Sequence, residues 1–168
     1  MKRVYILTIG LLLLSTCLLL AETKLYFSPK DNISAVLVSE IVKAKRTIDI
    51  AIFGFTDLDI AQALIDADKK GLVVRVYRDK LQSSEKKQKE VNRMLQEAGI
   101  SLRIKPTGIL MHMKTMIIDG KTLVTGSYNW SDGAKKQDND LSVCNDPCEV
   151  LPQYINKFKE MGFVYAGK

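Results

Sequence analysis

The sequence predicts an α/β sandwich built on a mixed, mostly parallel sheet that is flanked by helices. Short segments rich in β-branched and apolar residues alternate with segments whose apolar residues recur at helical spacing. This alternation is typical of parallel strands joined by crossover helices. Late in the chain only a short turn around Asp119-Gly120 separates two apolar segments, which indicates an antiparallel hairpin. A length of 168 residues suits a single domain.

Strands and helices alternate regularly in the first half of the predicted domain. The predicted strands cover residues 24–27, 47–55 and 72–77. Asp31 or Asn32 can cap the first helix, and Thr56 or Asp57 can cap the second, because their side chains accept hydrogen bonds from unpaired N–H groups. Gly71 is expected to end the second helix.

A charged amphipathic helix over residues 82–98 opens the second half, and Gly99 is expected to close it. The remaining predicted strands cover residues 101–105, 111–118, 123–128 and 140–144. The last helix is predicted from Leu151 to Phe158, where Pro152 is tolerated because it falls in the first turn.

Residues 1–21 precede this domain and have the features of a leader. A basic start, Met1-Lys2-Arg3, is followed by an uncharged run over residues 4–21. The pattern predicts either a secretory signal peptide cleaved after Ala21 or an N-terminal membrane anchor. In both cases we expect residues 22–168 to be exported, to the periplasm or the outer surface of a bacterial membrane.

The charge balance favours an anionic partner without proving one. The formal charge is +6, and removal of Lys2 and Arg3 with the leader would leave +4 (6 − 2). A basic exported domain is typical of proteins that bind nucleic acid or an anionic membrane surface, although ordinary solubility accounts for the charge equally well. Basic residues available to a phosphate backbone are Lys69, Lys70, Arg75, Arg78, Lys80 and the run from Lys86 to Lys89. Trp130 could stack on a base, but a core position is the commoner fate of a tryptophan.

Cys144 and Cys148 are candidates for a disulfide, because neighbouring cysteines of an exported protein can pair. Zinc is a poor alternative. Once Cys17 leaves with the leader, His112 is the only other cysteine or histidine, so four ligands cannot be completed. We therefore expect no metal and no cofactor.

Four polar residues are predicted to meet on one face of the late hairpin. His112 and Lys114 are two residues apart and share a strand face, and so do Ser127 and Asn129 on the partner strand. An imidazole, an ammonium, a hydroxyl and a carboxamide together suit the oxygens of a phosphate. Asp119 lies seven residues after His112, on the opposite face, and is expected to act as a turn residue.

These residues resemble a known signature. His112, Lys114 and Asp119, followed by Gly126-Ser127-Tyr-Asn129, are similar to the HxKxxxxD motif of the phospholipase D superfamily and its Gly-Ser-x-Asn extension. The single motif and the leader resemble the exported Nuc-type endonucleases of that superfamily. The resemblance implies a phospholipase D-like sandwich, a catalytic set that includes His112, Lys114 and Asp119, and phosphate binding by Lys114, Ser127 and Asn129.

The resemblance also implies a reaction in which two such motifs face each other. One histidine attacks phosphorus to form a phosphohistidine, and the other protonates the leaving oxygen. Because this chain has one histidine, either a homodimer supplies the second, which is the arrangement we predict, or another acid must serve. In the family a carboxylate after the motif orients the histidine, and Asp140 is the candidate here, with Asp138 as a rival.

The expected function is therefore a metal-independent, non-specific endonuclease that cleaves DNA, RNA or both. One alternative is a phospholipid-cleaving enzyme held at a membrane by residues 4–21. Another is a membrane-tethered nucleic-acid-binding protein in DNA uptake, which would keep its affinity after substitution of His112 and would release no product.

Overall fold

The computed structural model describes residues 22–106 and 108–165, which form one seven-stranded sheet with helices on both faces. The strands are β1 (Thr23–Ser28), β2 (Thr47–Ile52), β3 (Val73–Arg78), β4 (Ser101–Ile104), β5 (Lys114–Ile118), β6 (Thr122–Gly126) and β7 (Asn139–Cys144). The helices are α1 (Ile33–Lys43), α2 (Leu58–Lys69), α3 (Lys80–Ser83), α4 (Lys86–Glu97) and α5 (Leu151–Glu160), with a 3-10 turn at Ala134–Lys136. The predicted leader lies outside the described residues.

The sheet is mixed, as predicted, with the strand order β1-β7-β6-β5-β2-β3-β4. The expectation of a mostly parallel sheet needs correction, because only the β2–β3 and β3–β4 pairings are parallel and the other four are antiparallel. The connections explain the difference. Helices join β2, β3 and β4 and allow parallel pairing, whereas the short turn between β5 and β6 forces the chain to reverse.

Local signals place both N-terminal helix caps where the sequence predicts them. Asn32 caps α1, with its Oδ1 accepting from the N–H of Ala35 at 3.1 Å. Asp57 caps α2, with its Oδ1 accepting from the N–H groups of Asp59 and Ile60 at 3.0 and 3.4 Å. Each cap satisfies N–H donors that the first helical turn leaves unpaired. Because α1 follows β1 and α2 follows β2, both helices begin at the end of the sheet where these two strands end.

Two predicted elements are shorter than expected. The single helix predicted over residues 82–98 is divided into α3 and α4, and Asp79 caps α3. β5 begins only at Lys114 because the N–H of Met111 donates to the Asp79 carboxylate at 3.0 Å instead of joining a strand ladder. His112 therefore lies inside the predicted strand over residues 111–118 but two residues before the observed β5.

Apolar side chains fill two layers, one on each face of the sheet. Helices α1, α2 and α4 cover one face, where Ile48, Ile50 and Met116 are fully buried. The other face packs on α5, whose Phe158 is fully buried. Cys144 and Cys148 form a disulfide in this second layer, with Cα atoms 5.7 Å apart, and tie the end of β7 to the start of α5.

Within the described ranges, no helix has the length and apolar character needed to cross a membrane.

Candidate active site

Four polar residues of the sequence motif lie at one end of the sheet. β2 and β6 end there, and β5 and β7 begin there, because these strands run in alternating directions. His112 lies two residues before β5, and Ser127 and Asn129 follow directly after β6. The four residues predicted to meet thus all lie at this end of the sheet, where backbone is free to approach a ligand.

His112 and Lys114 lie in direct contact. Lys114 Nζ is 3.2 Å from Nδ1 and 3.3 Å from Nε2 of the His112 ring, and it donates to the His112 carbonyl oxygen at 2.8 Å. The ammonium can therefore donate to whichever ring nitrogen carries the lone pair. Lys114 is buried, and this burial lowers the pKa of its ammonium, whereas His112 is exposed. A reactant reaching the imidazole from solvent would find a fixed cation directly behind it.

Phe53 holds this pair from the neighbouring strand. Its ring centroid is 4.5 Å from that of His112, with the planes tilted by 57°, and Lys114 Nζ is 5.1 Å from the centre of the Phe53 ring. The N–H of Phe53 also donates to the Met113 carbonyl oxygen at 2.8 Å. Sequence reasoning assigned Phe53 only to a buried strand. Its position at the carboxyl end of that strand was the available signal that it could border a site.

Asn129 is fixed to the same segment through Gly54. The N–H of Gly54 donates to Asn129 Oδ1 at 3.1 Å, and this bond leaves the NH2 group of Asn129 as the free donor end of the carboxamide. A Cβ atom at Gly54 would lie 2.9 Å from Asn129 Oδ1, so only glycine allows the two segments to approach this closely. Phe53-Gly54 therefore connects the His112–Lys114 pair to Asn129.

Ser127 pairs with Asp140 within the chain, and the role of that carboxylate in orienting a histidine stays a prediction. Asp140 Oδ1 accepts from the Ser127 hydroxyl and from the Ser127 N–H at 3.2 Å, and the N–H of Asp140 donates back to Ser127 Oγ at 3.0 Å. No bond from His112 to Asp140 occurs in the described part of the chain. The strand order explains this, because β6 lies between β7, which carries Asp140, and β5, which follows His112. The rival Asp138 is exposed in the turn before β7.

Asp119 lies at the opposite end of β5 and does not join the catalytic set. It has a φ of 56°, a turn conformation that aspartate tolerates better than most residues. Its carboxylate accepts three backbone N–H groups, from Lys45 at 2.9 Å, Arg46 at 2.7 Å and Thr47 at 2.9 Å. This corrects the catalytic role implied by the resemblance and agrees with the turn role expected from strand parity.

Three residues considered for nucleic acid binding are used inside the protein. Arg78 is fully buried among polar groups of α4, and burial lowers its pKa to about 10. Arg75 forms a two-pronged ion pair with the buried Asp49, with N–O distances of 2.5 and 2.8 Å. Trp130 is also buried and packs edge-on against Phe55, so these three side chains are not placed to contact a ligand.

Asp79 is a functional candidate that sequence reasoning missed. The residue is buried, and its two carboxylate oxygens accept from the N–H of Leu81 at 2.9 Å and from the N–H of Met111 at 3.0 Å. It therefore joins the end of β3 to the residue next to His112. A carboxylate directly after a buried strand was the signal that could have identified it.

The assembled groups are suited to a tetrahedral oxyanion. An exposed imidazole can attack, while a buried ammonium and the NH2 group of Asn129 can hold non-bridging oxygens. Across residues 22–106 and 108–165, no cluster of three or more histidine, cysteine, aspartate or glutamate side chains is arranged to hold a metal ion.

Comparison with known families decides the relationship. Residues 37–162 match the family model described as the cardiolipin synthase, PLD-like domain, which is three quarters of the chain. The chain belongs to the phospholipase D superfamily. The fold agrees, since the protein superposes on the phospholipase D family member Nuc from Salmonella typhimurium with a TM-score of 0.78 and 25% identity. That match covers 83% of this chain and 93% of Nuc. NucT from Helicobacter pylori has the same fold, with a TM-score of 0.72 at 24% identity over 84% of this chain and 95% of NucT.

Curated relatives of this superfamily member carry lipid-related names. A mitochondrial cardiolipin hydrolase of Chlamydomonas reinhardtii is 36% identical over 119 residues, which cover 70% of this chain and 52% of the relative. A phospholipase D of Rickettsia prowazekii is 29% identical over 132 residues, which cover 79% of this chain and 63% of the relative. The chain thus spans about half to just under two thirds of the length of these relatives.

Proposed function

We propose that this protein is a phosphodiesterase, and more narrowly a non-specific endonuclease that cleaves DNA, RNA or both through a phosphohistidine. One observation carries the proposal. The exposed imidazole of His112 lies 3.2–3.3 Å from the ammonium of Lys114, and Phe53-Gly54 links this pair to Asn129. A nucleophile backed by a fixed cation and neutral donors is what an in-line attack on a phosphodiester needs.

The proposed reaction has two balanced steps. A ring nitrogen of His112 attacks phosphorus, a P–N bond forms and the P–O bond to the leaving group breaks, and a second imidazole gives its proton to the departing oxygen. That second imidazole then removes a proton from water, which attacks phosphorus and releases His112. Lys114 and the Asn129 NH2 group hold the non-bridging oxygens in both steps. These groups supply the positive charge, so we propose that no divalent metal is required.

The second imidazole is proposed to come from another copy of the chain. His112 is the only histidine, and one imidazole cannot attack phosphorus and protonate the leaving group in the same step. His112 is exposed at an end of the sheet, which leaves room for a two-fold related site to face it. Sedimentation under assay conditions tests this. A fully active monomer would contradict the homodimer.

Nucleic acid is the proposed substrate, and phospholipid is the second candidate. Support for nucleic acid comes from the similarity to Nuc over nearly its whole chain and from the net charge of +6. Support for phospholipid comes from the relatives named cardiolipin hydrolase and phospholipase D. Export, with residues 1–21 acting as a signal peptide or an anchor, also remains our proposal. N-terminal sequencing of the protein recovered from cells tests whether Ala21–Glu22 is cleaved.

The deciding experiment compares the wild type with His112→Ala in excess EDTA. The substrates are labelled single-stranded DNA, RNA and phospholipid dispersed in detergent. We expect the wild type alone to cleave nucleic acid, with a phosphorylated histidine trapped by rapid quench into an alkaline denaturant, because the P–N bond hydrolyses in acid. If the wild type cleaves phospholipid and neither nucleic acid, phospholipid replaces nucleic acid as the proposed substrate. DNA binding by both proteins without product would support a binding protein instead.

A further inference from the structure

A cavity of about 300 Å³ opens at the end of β1. Its lining comes from the end of β1, the loop that follows, the first residue of α1, and two residues after β6: Ser28, Pro29, Lys30, Asp31, Asn32, Ile33, Tyr128 and Lys135. Tyr128 lies between Ser127 and Asn129 in the sequence, so one short segment contributes to both the cavity and the candidate active site. The volume is at the lower end of the range for small-ligand sites.

Tyr128 carries a polar atom that the protein leaves unpaired. The residue is 1% exposed, and its hydroxyl has no hydrogen-bond partner within the described residues. Burial and the nearby Asp57 raise its pKa to about 12, so the group is a neutral O–H that can donate at physiological pH. A buried hydroxyl without a partner is unfavourable, and one that lines a cavity indicates a ligand atom that accepts its proton.

Three acceptor side chains at or near this cavity already bond to donors of the protein. Asp57, which is 1% exposed, accepts from the Ser34 hydroxyl at 2.7 Å and from Lys135 Nζ at 2.9 Å, in addition to capping α2. Burial would raise the pKa of Asp57, but the hydrogen bonds from Lys135 and Ser34 outweigh it and lower that pKa. Asp31 accepts from the N–H of Phe27 at 2.7 Å, and Asn32 Oδ1 caps α1.

The cavity also contains hydrogen-bond donors that the protein leaves unused. Lys135 uses two of its three N–H groups on Asp57 and Asp132, each at 2.9 Å, and keeps a third. Lys30 has no carboxylate within ion-pair distance among the described residues. The hydroxyl of Tyr128 adds a neutral donor. A ligand that fits must therefore be rich in acceptors, and a phosphate group fits best.

We propose that this cavity is a second phosphate subsite, which takes the phosphodiester next to the one cleaved at His112. The proposal rests on the proposed function, because it places a substrate with two phosphates along the end of the sheet. Such a pair occurs in successive linkages of a nucleic acid strand and in a lipid with two phosphates, such as cardiolipin. In both substrates the subsite would tighten binding and set which linkage reaches His112.

Binding to a protein that cannot turn over tests the subsite directly. The background is His112→Asn in the full chain, and the added change is Tyr128→Phe, which removes one oxygen and keeps the ring. Tyr154→Phe in α5, on the other face of the sheet, is the matched control. Calorimetry compares a thymidine dinucleotide with a trinucleotide, which have one and two phosphodiesters, and phosphatidylglycerol with cardiolipin in detergent micelles.

We expect Tyr128→Phe to weaken binding of a two-phosphate probe about tenfold and of its one-phosphate partner less than twofold, with Tyr154→Phe matching the parent. Selective loss in the nucleotide pair assigns the second phosphate to nucleic acid, and selective loss in the lipid pair assigns it to lipid. Equal weakening within both pairs, or none in either, overturns the subsite. Selective loss together with a wild type that cleaves no substrate would refute the proposed function and leave the subsite standing.

Discussion

Strand β5 separates two clusters of polar groups that lie within eight residues of each other in the sequence. Before the strand, His112 is exposed and contacts an ammonium whose pKa burial has lowered. After it, the Asp119 carboxylate accepts three backbone N–H groups and has its hydrogen-bonding capacity taken up by the protein. We call the end of β5 that carries the exposed His112 the open end. We call the end where the Asp119 carboxylate binds backbone N–H groups the closed end.

The difference shows that one motif can combine a chemical part and a structural part. The five residues of β5 span roughly 17 Å at about 3.4 Å per residue. A carboxylate at the far end therefore cannot exchange a proton with the imidazole at the near end. Asp119 acts on the site through the strand, because it fixes the turn from α1 into β2, the neighbour on which β5 aligns.

The largest expected effect is at the open end. His112→Ala should lower kcat on a phosphodiester at least about 10³-fold, because the nucleophile is lost. Its free energy of unfolding should change by no more than about 0.5 kcal/mol, since the side chain is exposed. Turnover of bis(p-nitrophenyl) phosphate and thermal unfolding measure the two quantities. Residual activity above a tenth of the wild type would exclude His112 as nucleophile.

The closed end should respond in the opposite way. Asp119→Ala removes the acceptor of three N–H groups and should lower the free energy of unfolding by about 1–3 kcal/mol. Activity per folded molecule at low temperature should stay within about threefold, because no reacting group is lost. Asp119→Asn, which keeps one acceptor oxygen and tolerates the turn conformation, is the control and should lose less stability. A folded Asp119→Ala protein without activity would return Asp119 to the catalytic set.

Gly54 tests how closely the open end must be positioned. In Gly54→Ala the new Cβ would lie 2.9 Å from Asn129 Oδ1, so Asn129 must move. We expect activity to fall about 10–100-fold, since a displacement near 1 Å is enough for such a loss. Gly133→Ala is the matched control, because the nearest atom to its Cβ is 4.0 Å away. Wild-type activity in Gly54→Ala would show that the Gly54–Asn129 bond is dispensable.

Sequence patterns were sufficient wherever a local rule determines the structure. Side-chain chemistry at a helix start identified Asn32 and Asp57 as cap candidates, and alternation along a strand brought His112 to Lys114. Both relationships join residues a few positions apart, so they do not depend on the rest of the fold.

The features that local patterns did not predict depend on partners that are distant in the sequence. Pairing of Asp140 with Ser127 within the chain requires that β7 lie next to β6, which no local pattern encodes. Arg78 is typical of a solvent-facing strand residue, yet Gln88 and Asn92 of α4 surround it and make its burial possible. Long-range partners of this kind reverse the usual preference of a charged residue for water.

The smallest expected effect is the difference between Asp140→Asn and Asp138→Asn. It tests whether Asp140 positions Ser127 or acts only as a surface charge, as Asp138 does. Asp140→Asn weakens the acceptor of the Ser127 hydroxyl, so we expect Ser127 to be held less firmly and KM to rise about three- to tenfold with kcat nearly unchanged. Asp138→Asn removes the same charge two residues away, at an exposed position, and should leave both constants within about twofold. Steady-state kinetics on a phosphodiester checks this.

Equal increases of KM in the two variants would mean that the carboxylates act by net charge alone. A loss confined to kcat in Asp140→Asn would instead support the predicted role of Asp140 in orienting a histidine, which in a homodimer can belong to the partner copy.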